Sequence, residues 1–124
     1  MQAIQETGTL IAADKVKGTK VYNSDGENLG EVDDLMIDKR SGQVAYAIMS
    51  FGGFLGIGDR YHPLPWSILT YDPERGGYVV NLSREVLERA PAFAAGGAPD
   101  WGNREYETGI HDYYGVSPFW GALW

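Results

Sequence analysis

The chain lacks cysteine altogether, which excludes disulfide bonds, thiolate metal sites and thiol catalysis. Histidine is scarce as well: His62 and His111 are the only two, and neither has a second ligand at metal-binding spacing. Basic residues are few and scattered, with ten Lys and Arg against 17 Asp and Glu and a formal net charge of -7. Because nucleic acids and anionic membranes attract clustered Lys and Arg, we expect neither as a partner.

Long apolar runs are also missing. No stretch approaches the ~20 apolar residues that a membrane-spanning helix needs. Residues 1–9 have neither the basic residues nor the apolar core that a signal peptide has. These features predict a cytoplasmic protein without membrane insertion, and a length of 124 residues suggests one domain.

Glycine and aromatic residues are abundant, with 17 Gly, eight Tyr, four Trp and four Phe. Short apolar runs alternate with Gly, Asn and Asp turns, a pattern typical of short strands in a mostly β protein. The predicted strands are 20–22, 29–38, 43–51, 60–66, 68–71 and 78–82. The fifth and sixth form a closing hairpin. Prolines at 63 and 65 place the fourth strand at an edge or make it irregular.

The second predicted strand changes phase midway. Leu29 and Val32 cannot share one face of a regular pleat, whereas Leu35 and Ile37 can. An extra residue near Asp33 and Asp34 would explain the change, since a β-bulge lets a sheet bend. The sequence therefore predicts a bulge at this point of a strongly bent sheet.

The third predicted strand, 43–51, is apolar on both faces. One face carries Val44, Tyr46 and Ile48, and the other carries Ala45, Ala47, Met49 and Phe51. A small barrel has only one inner face, so another segment must cover the outer one.

The C-terminal third supplies a candidate cover. Ser83 is a candidate N-cap for a short helix over 84–90, with Leu82 and Leu87 placed as a hydrophobic staple. A linker of small residues over 92–99 follows. An aromatic tail then contains a predicted helix over 101–114, capped by Asp100, with Tyr106, Ile110, Tyr113 and Tyr114 on one stripe. The tail covers its own barrel or that of a second subunit.

Several segments together resemble the PRC-barrel domain family. They are residues 18–22, the run 26–32 with 35–38, Gly42-Gln43-Val44, and the Gly-rich stretch 52–59 leading into 64–67. The family includes the cytoplasmic domain of the photosynthetic reaction-centre H subunit and a domain of ribosome-maturation factors. This chain looks most like the stand-alone bacterial members.

The resemblance implies a small, strongly bent β-barrel used for protein interaction, with no catalytic residue to carry over. The expected organisation is a flexible arm over 1–9, the barrel over 10–91, and a linker and aromatic tail over 92–124. A short helix follows the last strand, and the tail is partly helical.

Other chemistry is disfavoured by the residues themselves. The glycines at 53 and 58 have P-loop spacing, but Asp59 and Arg60 stand where Lys and Ser or Thr are needed. Asn23–Gly26 resembles a calcium loop, yet the first and last ligand positions are valines. A set of Ser67, His62 and Asp59 has the residue types of a hydrolase triad, but nothing singles it out.

The acidic residues Asp33, Asp34 and Asp38 are the best candidates for a metal or small-molecule site. In a regular strand the first two point to opposite faces and form no ready pair, so the favoured interpretation is that these are solvated turn or bulge residues. We expect no catalytic residue, metal or cofactor.

The prediction is therefore a non-enzymatic interaction module, a homodimer that also contacts another protein. The alternative is a barrel that binds a metal through the acidic residues or a small molecule in an apolar cavity. The expected interface comprises Tyr46, Met49, Phe51, Phe54, Leu55, Ile57, Tyr113, Tyr114, Phe119 and Trp120.

Overall fold

A computed structural model of the protein describes residues 9–51, 60–94, 96–97 and 99–120. The fold is mostly β, as predicted. Its strands are β1 (Lys20–Asn23), β2 (Asn28–Ile37), β3 (Val44–Phe51), β4 (Arg60–Pro65), β5 (Thr70–Asp72), β6 (Gly77–Val80) and β7 (Phe93–Ala94). Its helices are α1 (Ala13–Val16), α2 (Arg84–Glu88) and α3 (Arg104–Tyr114), with a 3₁₀ turn at Trp66–Ile68.

The seven strands form one bent sheet in the order β5-β6-β1-β2-β3-β4-β7. Neighbours pair antiparallel except β1 and β6, which are parallel. Within the described residues the sheet is open, with β5 and β7 at its two ends. Beyond the pairing of Arg60 and Tyr61 with β7, no strand among the described residues pairs with the outer edge of β4, so its two prolines need no ladder partner there.

The predicted bulge in β2 is confirmed. The register with β3 pairs Val32 with Met49 and Asp34 with Ile48, so Asp33 is the extra residue. A second irregularity lies between Met36 and Ile37. Bulges raise the local twist of a strand, and these two bend the sheet around its core.

The main core lies on the inner face of the bent sheet. Met49 and Leu64 are fully buried there, and Phe51 is nearly so. Alternation along β3 sends Ala47, Met49 and Phe51 inward, as the sequence pattern predicts. The prediction that Ala45 shares their face is wrong, because Ala45 is skipped in the register with β2 and packs with Tyr46 instead. The other buried members are Val16, Val21, Leu29, Val32, Tyr78, Val80 and Leu87.

Helix α2 has the predicted start. The Ser83 hydroxyl accepts a hydrogen bond from the Val86 N–H, which satisfies one of the free donors of the first turn. Leu82 and Leu87 both pack against the main core, as the staple requires.

Two local expectations are wrong. Helix α3 begins at Arg104 rather than Trp101, because Asn103 is the N-cap and Asp100 instead accepts a hydrogen bond from the Asn103 side chain. The expected linker contains a strand, β7, which pairs with the start of β4. Ahead of β1, Val16 of α1 is buried, while Leu10 and Ile11 are exposed. Residues 1–8 lie outside the described part of the chain.

Gly30 is required by the close approach of two strands. A Cβ at this position would lie 2.1 Å from the carbonyl oxygen of Ser50 on β3. We expect Gly30→Ala to destabilise the fold by about 3 kcal/mol, because the ladder must open to admit the methyl group. Urea unfolding followed by circular dichroism measures the change.

Gly109→Ala is the matched control. Gly109 lies within α3, and a Cβ there would meet nothing within 4 Å. The same substitution should raise the stability by roughly 0.5–1 kcal/mol through helix propensity. Equal effects of the two variants would contradict the role given to Gly30.

Candidate functional site

The outer face of β3 is covered by the C-terminal tail of the same chain. Tyr46, which points outward from β3, is 1% exposed, and Ile110 from α3 is buried against it. This second apolar cluster also includes Ala45 of β3, Met36 of β2 and four tail residues, Trp101, Tyr106, Tyr114 and Phe119. We call the covered surface the tail-covered face.

Tyr46 is the centre of an aromatic cluster within this face. Its ring centroid lies 5.2 Å from that of Trp101, 5.3 Å from that of His111 and 5.9 Å from that of Phe119. The Phe119 ring meets it edge-on. Tilted and edge-to-face contacts at these distances are the favoured geometries of aromatic pairs. The tail therefore docks by specific ring contacts as well as by area.

A buried hydrogen bond joins the sheet to the tail. The Tyr46 hydroxyl donates to Oε1 of Glu107 at 2.8 Å, and Glu107 is only 6% exposed. The second carboxylate oxygen accepts the Gly102 N–H at 3.3 Å. Burial, together with the bond to Glu107, raises the pKa of Tyr46, so the phenol remains a neutral donor. A buried carboxylate depends on such donors.

His111 lies one turn beyond Glu107 and is also buried. Its Nδ1 lies 2.8 Å from the Glu107 carbonyl oxygen, which can only accept, so Nδ1 carries the proton. The helix then ends at Gly115, whose φ of 69° suits glycine.

The last described residues return along the helix. The Arg104 guanidinium lies 3.9 Å from the centroid of the Trp120 ring, within cation–π range. Trp120 also contacts the His111 ring edge-on. Both ends of α3 are thus tied to the segment that follows it.

Sequence reasoning missed Glu107 and His111. Their spacing of four residues puts them on one side of α3, next to the predicted apolar stripe. That spacing was available in the sequence, but Glu and His are more often solvated on a helix. Only their position under the sheet makes them buried partners.

The predicted interface residues fall into three groups. Tyr46, Met49 and Phe51 are buried within the chain, with Met49 and Phe51 in the main core rather than on the outer face. Tyr113 is 39% exposed, while Tyr114, Phe119 and Trp120 are half-buried in the tail. The remaining three, Phe54, Leu55 and Ile57, lie outside the described residues.

The three acidic candidates do not come together. Asp38 belongs to the β2–β3 turn, where it accepts hydrogen bonds from the Ser41 hydroxyl and the Arg40 N–H; these bonds lower its pKa. Asp33 and Asp34 instead line a cavity next to Met36 and Trp101, and Asp38 is not part of its lining. The expectation of opposite faces applied to a regular strand, and the bulge interrupts the regular alternation at these two residues.

The other motifs have structural roles where they are described. Asn23 accepts the N–H groups of Asp25 and Glu27, which makes its segment a tight turn. The glycine-rich stretch 52–59 lies outside the described residues. In the described part of the chain, no group of three His, Cys, Asp or Glu is placed to hold a metal. None of the helices described is long and apolar enough to cross a membrane.

His62 on β4 is fully buried, with its ring edge-on to Phe51. Within the described residues neither ring nitrogen has a hydrogen-bond partner. The nearby Pro91 backbone favours the protonated ring, but this effect is smaller than those that lower the pKa of His62. Burial, with a smaller effect of the Arg60 charge, lowers the pKa of His62 to about 4. His62 is therefore a neutral core residue and has no hydrogen bond to Ser67.

The mostly β fold agrees with the sequence comparison. A family model described as the PRC-barrel domain matches residues 8–87. This match spans well over half of the 124 residues, so the chain belongs to the PRC-barrel family. The tail that covers β3 lies beyond the matched region. A comparison with curated proteins finds no significant match.

Tyr46→Phe tests the buried hydrogen bond. Removing the hydroxyl leaves the Glu107 carboxylate buried with one donor fewer, which should cost about 2 kcal/mol of unfolding free energy. Hydrogen exchange should accelerate in α3 more than in β1. Tyr106→Phe is the control, since the Tyr106 hydroxyl has no hydrogen bond within the described residues, and its effect should stay within about 0.5 kcal/mol. Equal losses in both variants would contradict the assignment.

His62 should make the fold acid-sensitive. Its pKa is about 4 when folded and near 6.5 when unfolded, so the unfolded chain takes up the proton first as the pH falls. Stability is full above pH 6.5 and declines toward pH 4, by up to about 1.4 kcal/mol per pH unit. Urea unfolding between pH 7 and 4.5 measures the slope.

His62→Leu should flatten this slope, because leucine cannot be protonated. Asp38 and Glu27 have pKa values lowered by hydrogen bonds, from Ser41 and Arg84 respectively, so their loss of stability falls at lower pH. An unchanged slope in the variant would rule out His62 as the source.

Proposed function

We propose that this PRC-barrel protein is a non-enzymatic interaction module that self-associates through its C-terminal tail. The observation that carries the proposal is the tail-covered face. Its contacts have the composition of a protein interface: buried aromatic rings around Tyr46, a satisfied polar pair, and a partly exposed rim.

The tail is a separable unit of the chain. It lies beyond the 8–87 region shared with the family, and α3 contacts the rest of the protein mainly through β4 and the outer face of β3. Between the barrel and the tail, the chain is tied to the sheet by the two residue pairs of β7. Few contacts thus hold the connection between the two parts.

Such an arrangement suits exchange between two copies. The contacts that the tail makes with its own sheet would be the same with the sheet of a partner, so an exchanged dimer loses no interaction. Ile37 and Tyr113 are exposed beside the covered face, and they would add apolar area when two sheets approach.

Metal or small-molecule binding is the second candidate function. Asp33 and Asp34 do share one cavity, and this favours some ligand there over the cluster of three that includes Asp38. Metal analysis of the purified protein tests the metal form. A stoichiometric ion lost on chelation, with a change in stability, would support it.

Light scattering of the full chain tests self-association. We expect a mass near twice 13.7 kDa at micromolar concentration, and a shift toward the monomer in a chain cut after Pro91. A monomeric mass for the full chain at all concentrations would overturn the proposal and leave the tail as an intramolecular cover.

Exchange itself is tested in a mixed sample of labelled and unlabelled copies. Isotope-filtered NMR should detect contacts between the Tyr46 ring of one copy and the Ile110 methyl groups of the other. Ile110→Asp should abolish both the contact and the dimer, whereas Tyr71→Asp, at an exposed site on the end strand β5, should not. A dimer without the Tyr46–Ile110 contact would show association through another surface.

A further inference from the structure

A cavity of about 330 Å³ opens beside the tail-covered face, at the bulge of β2. Its volume is at the lower end of the roughly 300–1,000 Å³ that ligand sites occupy. The cavity is lined by Asp33, the extra residue of the bulge, and by its neighbour Asp34. Both side chains are exposed to solvent.

Three aromatic residues line the same cavity. Tyr61 from β4 and Phe93 from β7 are cross-strand partners, and their rings stack with centroids 5.6 Å apart. Trp101 reaches the cavity from the tail and is fixed by ring contacts with Tyr46 and Tyr106. These half-buried rings lie beside two carboxylates. A cation attracted by the carboxylates would therefore also meet the faces of aromatic rings, which an acidic turn alone does not offer.

The charge of the cavity is unbalanced. Its lining contains no Lys or Arg. Ion pairs among the described residues join Lys20 to Glu31, Arg75 to Asp72 and Arg84 to Glu27, so neither Asp33 nor Asp34 has a cationic partner there. Oδ1 of Asp34 accepts its neighbouring Leu35 N–H, which holds that carboxylate in place.

We propose that this cavity binds a lysine or arginine side chain presented by a basic partner protein. The alkyl stem would lie against the aromatic rings and the adjacent Met36, and the cationic head would meet the two carboxylates. A second copy of this chain is the poorer occupant of the cavity, because its ten Lys and Arg residues are few and scattered along the sequence. This inference is independent of tail exchange.

Three short peptides provide the probes: glycine–lysine–glycine and glycine–arginine–glycine, both blocked at their ends, and the same peptide with norleucine. Norleucine keeps the alkyl stem of lysine and lacks its charge. Binding to the full chain is followed by the NMR signal of the Trp101 indole N–H, which Trp101→Phe identifies. We expect at least one cationic peptide to bind about fivefold more tightly than the norleucine peptide, or better.

Asp33→Asn with Asp34→Asn should remove most of that preference while leaving the rest of the spectrum unchanged. The matched control is Glu74→Gln with Glu88→Gln, which alters net charge equally at exposed positions outside the cavity lining. If the double Asn variant unfolds, Asp33→Asn alone serves, because Asp33 is the unpaired residue of the bulge.

Equal binding of the norleucine peptide, or equal binding by the double Asn variant, would overturn the proposal. So would a Trp101 signal that does not respond to the cationic peptides. A Trp101 signal that shifts with protein concentration alone, and no longer responds to peptide in the dimer, would assign the cavity to a second copy instead of a basic partner.

Discussion

The two apolar faces of β3 set the constraint on which the rest of the structure depends. Its inward residues, among them Met49, belong to the main core, whereas Tyr46 on the other side belongs to a second cluster. A strand buried on both faces requires a layer on each side, and one bent sheet supplies only one. The tail supplies the other, so a segment outside the family domain becomes part of this protein's hydrophobic structure.

The polar contact within the second cluster gives the tail a defined position. Aromatic and aliphatic burial alone tolerates several docking arrangements, but a buried Glu107 must find donors. Tyr46 provides one and the Gly102 N–H another. The same chemistry makes the covered face suitable for assembly, because a tail that docks in one geometry on its own sheet has one geometry to offer a partner's sheet.

The bulge in β2 has two consequences. It bends the sheet toward the inner core, and by breaking the alternation it brings Asp33 and Asp34 to a single cavity beside Trp101. Structure and candidate binding site are therefore linked at this position. Buried His62 has a different consequence: it fills the core as a neutral ring, and its lowered pKa should limit the stability of the fold in acid.

The sequence by itself determined the mostly β fold, the phase change in β2, the α2 cap at Ser83 and the need for a cover over β3. These features follow from alternation, turn chemistry and capping, which act between residues close in the chain. Only the tertiary structure decided that the C-terminal tail packs on the outer face of β3, that Glu107 and His111 are buried, and that two aspartates share a cavity. Each depends on contacts such as Tyr46 with Glu107, 61 residues apart, and local pattern holds no information about which distant surfaces meet.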